Sequence, residues 1–414
     1  MLKRLSKKCI ICEAQKLHEY LNLGKVALAG SFLDNINKIK KEKKFQLSVA
    51  FCSNCKCSQI TKFADQNILF NNYFYSSSKI KTLAQHFKKF SNEIIKKYYL
   101  KNETNFLEIG CNDGVLIENL NNYKFKNLIG IDPAKNITKN INFKNIKIIN
   151  NFFSLGESLK IEKKFGKFDV IIANNVFAHS HKIRNITKGI SHLLKESGVF
   201  IFEVHNSKNI ILNNQFDMIY HEHVLYYTLT SIRNLLKQFN LKIFDIKFIS
   251  THGGSFRVYS THKKNNSLQT SNKIKKILNS EKQKNLKKLK TYYKFNKDVF
   301  LLKSKINDYL KVLKDKGLKI AGYGASGRAN TVLQFCNISK YIDFMIDDSS
   351  YKQGNYTPGT HLKIYSSKIL HKKNKPDIVL LFAWSFANEI KNKNKIFLKN
   401  GGRFLVILPK IKFI

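Results

Sequence analysis

Residues 216–227 read FDMIYHEHVLYY, so Tyr220, His221, Glu222 and His223 stand together in one short run. An imidazole titrates near neutrality, and a neighbouring carboxylate can orient and tune it, so this run suits proton transfer. A purely structural histidine is the alternative. The spacing also resembles part of a metal site, but HEH lacks the HExxH separation that sets paired imidazoles on a single helical face. His179 and His181, in NNVFAHSH, follow another apolar run and can enter the same cleft.

A second constellation is made of cysteines. Cys9 and Cys12 form one CxxC pair and Cys52 and Cys55 another, with residues 13–51 between them. Paired thiolates on each of two tight turns are the ligand set of a tetrahedral structural zinc ion. Two disulfides would need an oxidising compartment, and the residues after MLKRLSKK carry no uninterrupted apolar stretch of a secretory signal. Cys57 is a possible substitute ligand, whereas Cys111 and Cys336 are isolated and read as small packed residues.

The run FLEIGCNDG at 106–114 reads as a strand entering a glycine turn. Gly110 leaves room where a side chain would block a ligand, and Gly114 permits close entry to the next helix. Asp132 ends the following strand in LIGIDPA, where a carboxylate can accept from both hydroxyls of a ribose. The turn is GCNDG rather than GxGxxG, which favours S-adenosylmethionine over a nicotinamide dinucleotide. The expected cofactor contacts are Glu108, Gly110, Asn112, Asp113, Gly114 and Asp132, with Phe152 flanking the adenine and Asn174 at the methionine end.

Two further segments supply the expected substrate contacts. THGGSFR at 251–257 offers His252, the paired Gly253 and Gly254 for close backbone approach, and Arg257 for an anionic group. GYGASGR at 322–328 follows an apolar run and brings Tyr323 and Arg328, with a helix start suited to phosphate. Either glycine segment reads equally well as a tight turn.

Apolar spacing predicts the elements that must position these groups. Ile80, Leu83, Ala84, Phe87, Phe90, Ile94 and Ile95 recur at helical spacing. NFLEIG, NLIGID, KIIN, FDVIIAN and GVFIFEV alternate with helical stretches, which implies a parallel sheet covered on both faces. A lysine-rich helical pattern spans 271–314, with a break predicted near Tyr292 or Asn296. A second α/β unit runs from LKIAGYGASG to GGRFLVILP, and IVLLFAWSFA at 378–387 reads as a buried strand. The expected fold is α/β: a zinc module over 1–75, a class I Rossmann-like methyltransferase domain over 76–245, and a second Rossmann-like domain over 246–414.

At 414 residues the chain exceeds what one hydrophobic core usually supports. Its longest apolar runs fall short of the roughly 18 residues a spanning helix needs, so a cytoplasmic protein without a membrane span is expected. A formal charge of +45 would ordinarily suggest nucleic acid or an anionic membrane. Yet only Arg4, Arg184, Arg233, Arg257, Arg328 and Arg403 among the 73 basic residues are arginine, and the lysines are dispersed. Solvated faces are the better reading, and no nucleic-acid partner is expected, although the field would attract a small anionic substrate. The oligomeric state is open, a monomer included.

Taken in order, CIIC and CSNC, the LF-NNY segment at 69–73, LEIGCNDG, GIDPA, ANNVFAH, FDMIYHEH, THGGSFRVY, GYGASGR and PDIVLLFAW resemble the nucleotide-sugar C-methyltransferases. The resemblance covers nearly the whole chain and implies a zinc module, a central S-adenosylmethionine domain and a C-terminal Rossmann-like domain. It implies a substrate that is a keto-deoxysugar on a nucleoside diphosphate, commonly dTDP, methylated beside the ketone. It further implies His223 as the base, Tyr220 and Glu222 as its orienting or tuning partners, and His179 with Tyr73 or Tyr75 against the substrate. Gly327-Arg328 stands where the family often has AK, keeping a cation but changing its shape. An RNA methyltransferase is the rival enzyme, because zinc and a basic surface suit nucleic acid; a noncatalytic zinc-bearing scaffold is the rival without chemistry.

Overall fold

The computed structural model describes residues 3, 4, 8–70, 73, 76–98 and 100–414, without the side chains of 3, 4 and 252. Tyr75 and the His252 side chain, both expected at the site, therefore lie outside the described residues.

The front of the chain forms antiparallel strands β1 (Leu17–Ala27), β2 (Lys44–Cys52) and β3 (Ser58–Ile60). Helix α1 (Lys81–Tyr98) follows and buries Leu83, Phe87, Phe90 and Ile94, the face that the apolar spacing predicts. Each of the predicted apolar runs is then a strand: β4 (Asn105–Ile109), β5 (Asn127–Ile131), β6 (Ile146–Ile149), β7 (Phe168–Asn174) and β8 (Leu194–His205). Strands β4 and β5 are buried at every position, as both-face cover requires, which is why they read as apolar runs and not as alternation.

A short strand β9 (Leu225–Tyr226) leaves this unit and joins the front sheet, with Leu225 opposite Gln59 and Tyr226 opposite Ser58. Strands β10 (Leu241–Ile249) and β11 (Ser255–His262) return to the centre. The described residues give a seven-stranded central sheet in the order β10-β11-β8-β7-β4-β5-β6, with β11 antiparallel to both neighbours and β8 through β6 parallel. This is the class I methyltransferase order, and its strands continue to His262, past the division expected at 245/246.

Helices α2 (Asn272–Gln283) and α3 (Leu289–Asp315) carry the lysine-rich pattern. The break falls at 284–288, where Asn285 takes the left-handed conformation that asparagine tolerates, and not at Tyr292 or Asn296. Tyr292 lies inside α3, fully buried and stacked 4.2 Å from Phe51 of β2, so the long helix packs on the front sheet.

The C-terminal sheet contains β12 (Ile320–Tyr323), β13 (Phe344–Ile346), β14 (Ile364–Tyr365), β15 (Ile378–Leu381), β16 (Arg403–Val406) and β17 (Lys412–Phe413). Its order is β14-β13-β12-β15-β16-β17, parallel until the last pair. Helix α4 (Gly327–Cys336) follows β12. The buried strand expected over 378–387 stops at Leu381, and Trp384 in the turn that follows donates its indole N–H to Asp217 at 3.0 Å. Among the described residues, no helix is long and apolar enough to cross a membrane.

Arg257, expected to meet an anionic substrate group, instead sits 2% exposed within the central unit. Its place on β11 is opposite Glu203 of β8. Nε donates to Glu203 at 2.7 Å, Nη1 donates to Glu93 at 3.1 Å, and the guanidinium lies 3.5 Å from the Phe90 ring centre. Burial acts to raise the Glu203 carboxyl, but His86 and Arg257 together hold it below its ordinary value. Removing one partner of a buried ion pair strands the other, so Arg257→Leu is expected to lower stability by about 3–5 kcal/mol in urea unfolding. An unchanged unfolding midpoint together with weakened substrate binding would return Arg257 to the substrate site.

Candidate active site

The turns at 9–12 and 52–55 meet because the front strands run antiparallel, with Leu17 opposite Cys52. The sulfurs of Cys9, Cys12, Cys52 and Cys55 all lie within 4.8 Å of one another, Cys9 to Cys55 at 3.5 Å and Cys12 to Cys52 at 3.6 Å. A tetrahedron with zinc–sulfur bonds of about 2.3 Å has edges of about 3.8 Å, so the set fits one closed structural zinc ion. The adjacent Cys52 sulfur is the main reason the Cys9 thiol is pushed up to about 12, a rise that a bound dication reverses. Cys57 stands outside the set, its thiol directed at the carbonyls of Ser58 and Tyr226.

At the carboxyl edge of the central sheet, β4 delivers Gly110 at φ +70°, where an added Cβ would lie 2.2 Å from Val176. Gly114 has φ +79° and faces Ile141 at 3.0 Å from the same construction. Asp132 follows β5 and is fixed by the backbone N–H groups of Asn112, at 2.9 Å to Oδ2, and of Ala134, at 2.8 Å to Oδ1. Each oxygen keeps a lone pair, so the carboxylate is preset to receive a pair of hydroxyls. Asp113 accepts from the Ser76 hydroxyl at 2.5 Å and the Ser78 N–H at 2.8 Å through one oxygen, while its other oxygen is buried and unpaired. Burial, then Asp113 and Asp132, push the Glu108 carboxyl well up.

Asn174 ends β7, is 8% exposed, and has neither of its side-chain polar atoms paired. Such buried orphans are uncommon and call for a partner. S-adenosylmethionine carries a ribose diol and two cationic groups, an ammonium and a sulfonium, and this edge offers carboxylates and an amide that suit hydroxyls and positive charge. Phe152, half-buried, lies just past β6 on the same edge.

The segment after β8 brings together much of the predicted proton-transfer group. The Tyr220 hydroxyl and His223 Nε2 are 2.7 Å apart, and His223 Nδ1 lies 2.8 Å from the Met218 carbonyl. The His179 ring stands edge-on to His223 with centres 5.0 Å apart. Glu222 is buried, its carboxyl raised to about 7 by burial, against the opposing pull of the Tyr73 hydroxyl at 3.5 Å. A Cβ added to Gly30 of the front unit would lie 3.5 Å from Glu222 Oε1. His221 points away, toward the Gln46 carbonyl at 3.4 Å, and burial lowers it to about 4. His181 stacks on Phe63 at 5.2 Å.

The C-terminal expectations fare differently. Tyr323 is buried and donates its hydroxyl to Asp348 at 2.9 Å, so it serves the C-terminal unit. Arg328 is paired with Asp217. Gly253 and Gly254 are close-approach positions, but the groups that approach are side chains of the protein: added Cβ atoms would lie 2.7 Å from Trp384 and 2.1 Å from Asn209. The sequence reading did not single out His205, whose ring centre lies 4.7 Å from that of His223. Its position at the end of β8 was the available signal.

Of the expected cofactor contacts, Asp132 has the clearest geometry. Asp132→Ala is expected to weaken S-adenosylmethionine binding in calorimetry by about 1.5–3 kcal/mol, the range for a hydrogen bond to a charged group. Unchanged affinity would remove it from the ribose site.

Family models cover the chain in sequence: a "Putative zinc binding domain" at 9–70, a "Methyltransferase domain" at 73–246 and a "C-methyltransferase C-terminal domain" at 250–409. The C-methyltransferase NovU of Streptomyces niveus is 28% identical over 408 residues, which span 98% of this chain and 96% of that protein. A tRNA U34 carboxymethyltransferase of Helicobacter pylori (strain P12) is 32% identical over 102 residues, 23% of this chain and 38% of its own. Magnesium protoporphyrin IX methyltransferase from Synechocystis PCC 6803, solved with bound SAH, aligns over 43% of this chain and 83% of its own at 13% identity and a TM-score of 0.34. The chain thus carries a zinc-binding domain, an S-adenosylmethionine-dependent methyltransferase domain and a C-methyltransferase C-terminal domain, and it matches a C-methyltransferase almost from end to end.

Proposed function

We propose that the protein methylates the carbon next to the ketone of a keto-deoxysugar carried on a nucleoside diphosphate. The observation that carries this reading is the setting of His223. The Met218 carbonyl can only accept, so Nδ1 bears the ring proton and Nε2 keeps its lone pair toward the Tyr220 hydroxyl. A buried imidazole held in one tautomer is a proton acceptor at a single, fixed atom.

A C–H bond becomes nucleophilic when a neighbouring ketone can hold the electrons as an enolate, provided donors meet the developing charge. In this reading His223 Nε2 takes the proton, and the Tyr220 hydroxyl turns to the enolate oxygen. Glu222 exchanges a proton near neutrality and, with Tyr73 and His179, orients the sugar. S-adenosylmethionine, when bound at Asp132 and Asn174, supplies an electrophilic methyl group. Holding the reactants in line can contribute roughly 7 to 11 kcal/mol.

A nucleotide-bearing sugar needs a second wall, and the glycine turn after β12 provides a candidate: a Cβ on Gly327 would lie 3.1 Å from the Tyr220 ring. We place Gly253, Tyr323 and Arg328 on that side as supports of the wall. The chain is read as a zinc unit over 1–75, a methyltransferase unit from 76 and a C-terminal unit whose start we move from 246 to beyond His262. A reducing cytoplasm suits the thiolates of the zinc site. A small anionic substrate is favoured over RNA because the reacting groups are buried, with His223 3% exposed.

Incubating a panel of dTDP-4-keto sugars with methyl-labelled S-adenosylmethionine is expected to give one product heavier by a single methyl group in mass spectrometry. His223→Asn is expected to abolish that product while cofactor affinity stays at the wild-type value. Label entering RNA and none of the sugars would sink this reading.

A further inference from the structure

We propose that Arg328 is a positioning residue for His223, acting from the C-terminal unit through Asp217. The inference rests on the reading of His223 as the base. Asp217 opens the same segment, and its side chain is 2% exposed. Arg328 donates to Asp217 Oδ2 through Nε at 2.8 Å and Nη2 at 2.5 Å, and the Trp384 indole donates to that oxygen at 3.0 Å. The guanidinium also lies 4.5 Å from the Trp384 ring. A cation placed to bind a phosphate would present its fork to the cleft; this one directs it at a buried carboxylate.

The next residues in the chain explain why that matters. Met218 supplies the carbonyl that accepts the His223 Nδ1 proton at 2.8 Å. The carbonyl of Ile219 accepts from the Thr331 hydroxyl at 3.0 Å. Arg328 and Thr331 stand one turn apart on α4, so a single helix holds the chain on either side of the carbonyl that sets the tautomer. If Asp217 is released, the Met218 carbonyl is free to rotate, and the imidazole loses the acceptor that keeps its proton on Nδ1. In this chain the planar fork of the arginine supplies the paired donors and the ring contact together, which a lysine does not.

Three variants separate this role from simple packing: Arg328→Met, Arg328→Lys and Asp217→Asn, the last keeping the shape of the carboxylate. Each is checked for zinc content and S-adenosylmethionine affinity, and Asp217→Asn decides if Arg328→Met fails those checks. The direct readout is the ring-nitrogen spectrum of ¹⁵N-histidine protein, with His223 assigned by the signals lost in His223→Asn. Wild-type protein is expected to show the Nδ1–H tautomer. Arg328→Met and Asp217→Asn are expected to show a tautomer mixture and a kcat lower by on the order of 100-fold, the scale of a small misplacement of a reacting group. Arg328→Lys is expected to restore only part of both. Retention of the Nδ1–H tautomer in the folded variants would overturn the proposal whatever the rates. The spectrum needs no substrate, so a wild-type enzyme that methylates no keto sugar would count against the proposed reaction and leave this result standing by itself.

Discussion

Residues 206–227 hold only short elements, the helix Ser207–Leu212, a turn of helix at Phe216–Met218 and the strand Leu225–Tyr226, and hydrogen bonds from every unit of the molecule fix their arrangement. The Asn206 N–H donates to Gly254 at 3.2 Å, Arg328 and Trp384 hold Asp217, the Val224 N–H donates to Ala178 at 2.8 Å, and Tyr226 pairs with Ser58 of the front sheet. Backbone groups buried outside a ladder must find partners, and here those partners lie on different domains. Ordering such a segment opposes folding by about 1–2 kcal/mol per residue, so it keeps one shape only while its neighbours are docked. The zinc unit and the C-terminal unit thereby help to shape the segment that carries Tyr220, Glu222 and His223.

The cofactor edge follows a different logic. A chain with a formal charge of +45 gathers Glu108, Asp113 and Asp132 around one glycine turn. Burial and mutual repulsion push Glu108 up, and burial also raises Asp132. Such a cup is unfavourable by itself and complementary to a cation-bearing ligand. Gly110 and Gly114 then matter because a side chain there would meet Val176 or Ile141 and close the approach.

What the sequence makes legible is what local spacing encodes. The strands β4 to β8 are short apolar runs, the zinc turns are CxxC pairs, and Asp132 and His223 lie in compact motifs. The partners of arginine are not encoded locally. Arg257 pairs with Glu203 across 54 positions and Arg328 with Asp217 across 111, so both read as available cations until the sheet register and domain docking are known. The position of the break between α2 and α3 depended on Asn285 adopting a left-handed turn, which the lysine-rich pattern masks. Likewise β9 is two residues long, and only its pairing with Ser58 and Gln59 distinguishes it from a loop.

The central claim is that His223 removes a proton from the carbon beside a sugar ketone. It is tested most directly by following that proton in deuterium oxide with S-adenosylhomocysteine in place of the methyl donor, so that deprotonation is seen without transfer. NMR of the bound-substrate pool should show deuterium entering that one carbon with wild-type enzyme and no enzyme-dependent exchange with His223→Asn. Exchange by the variant at the wild-type rate would contradict the account and assign the proton to another group.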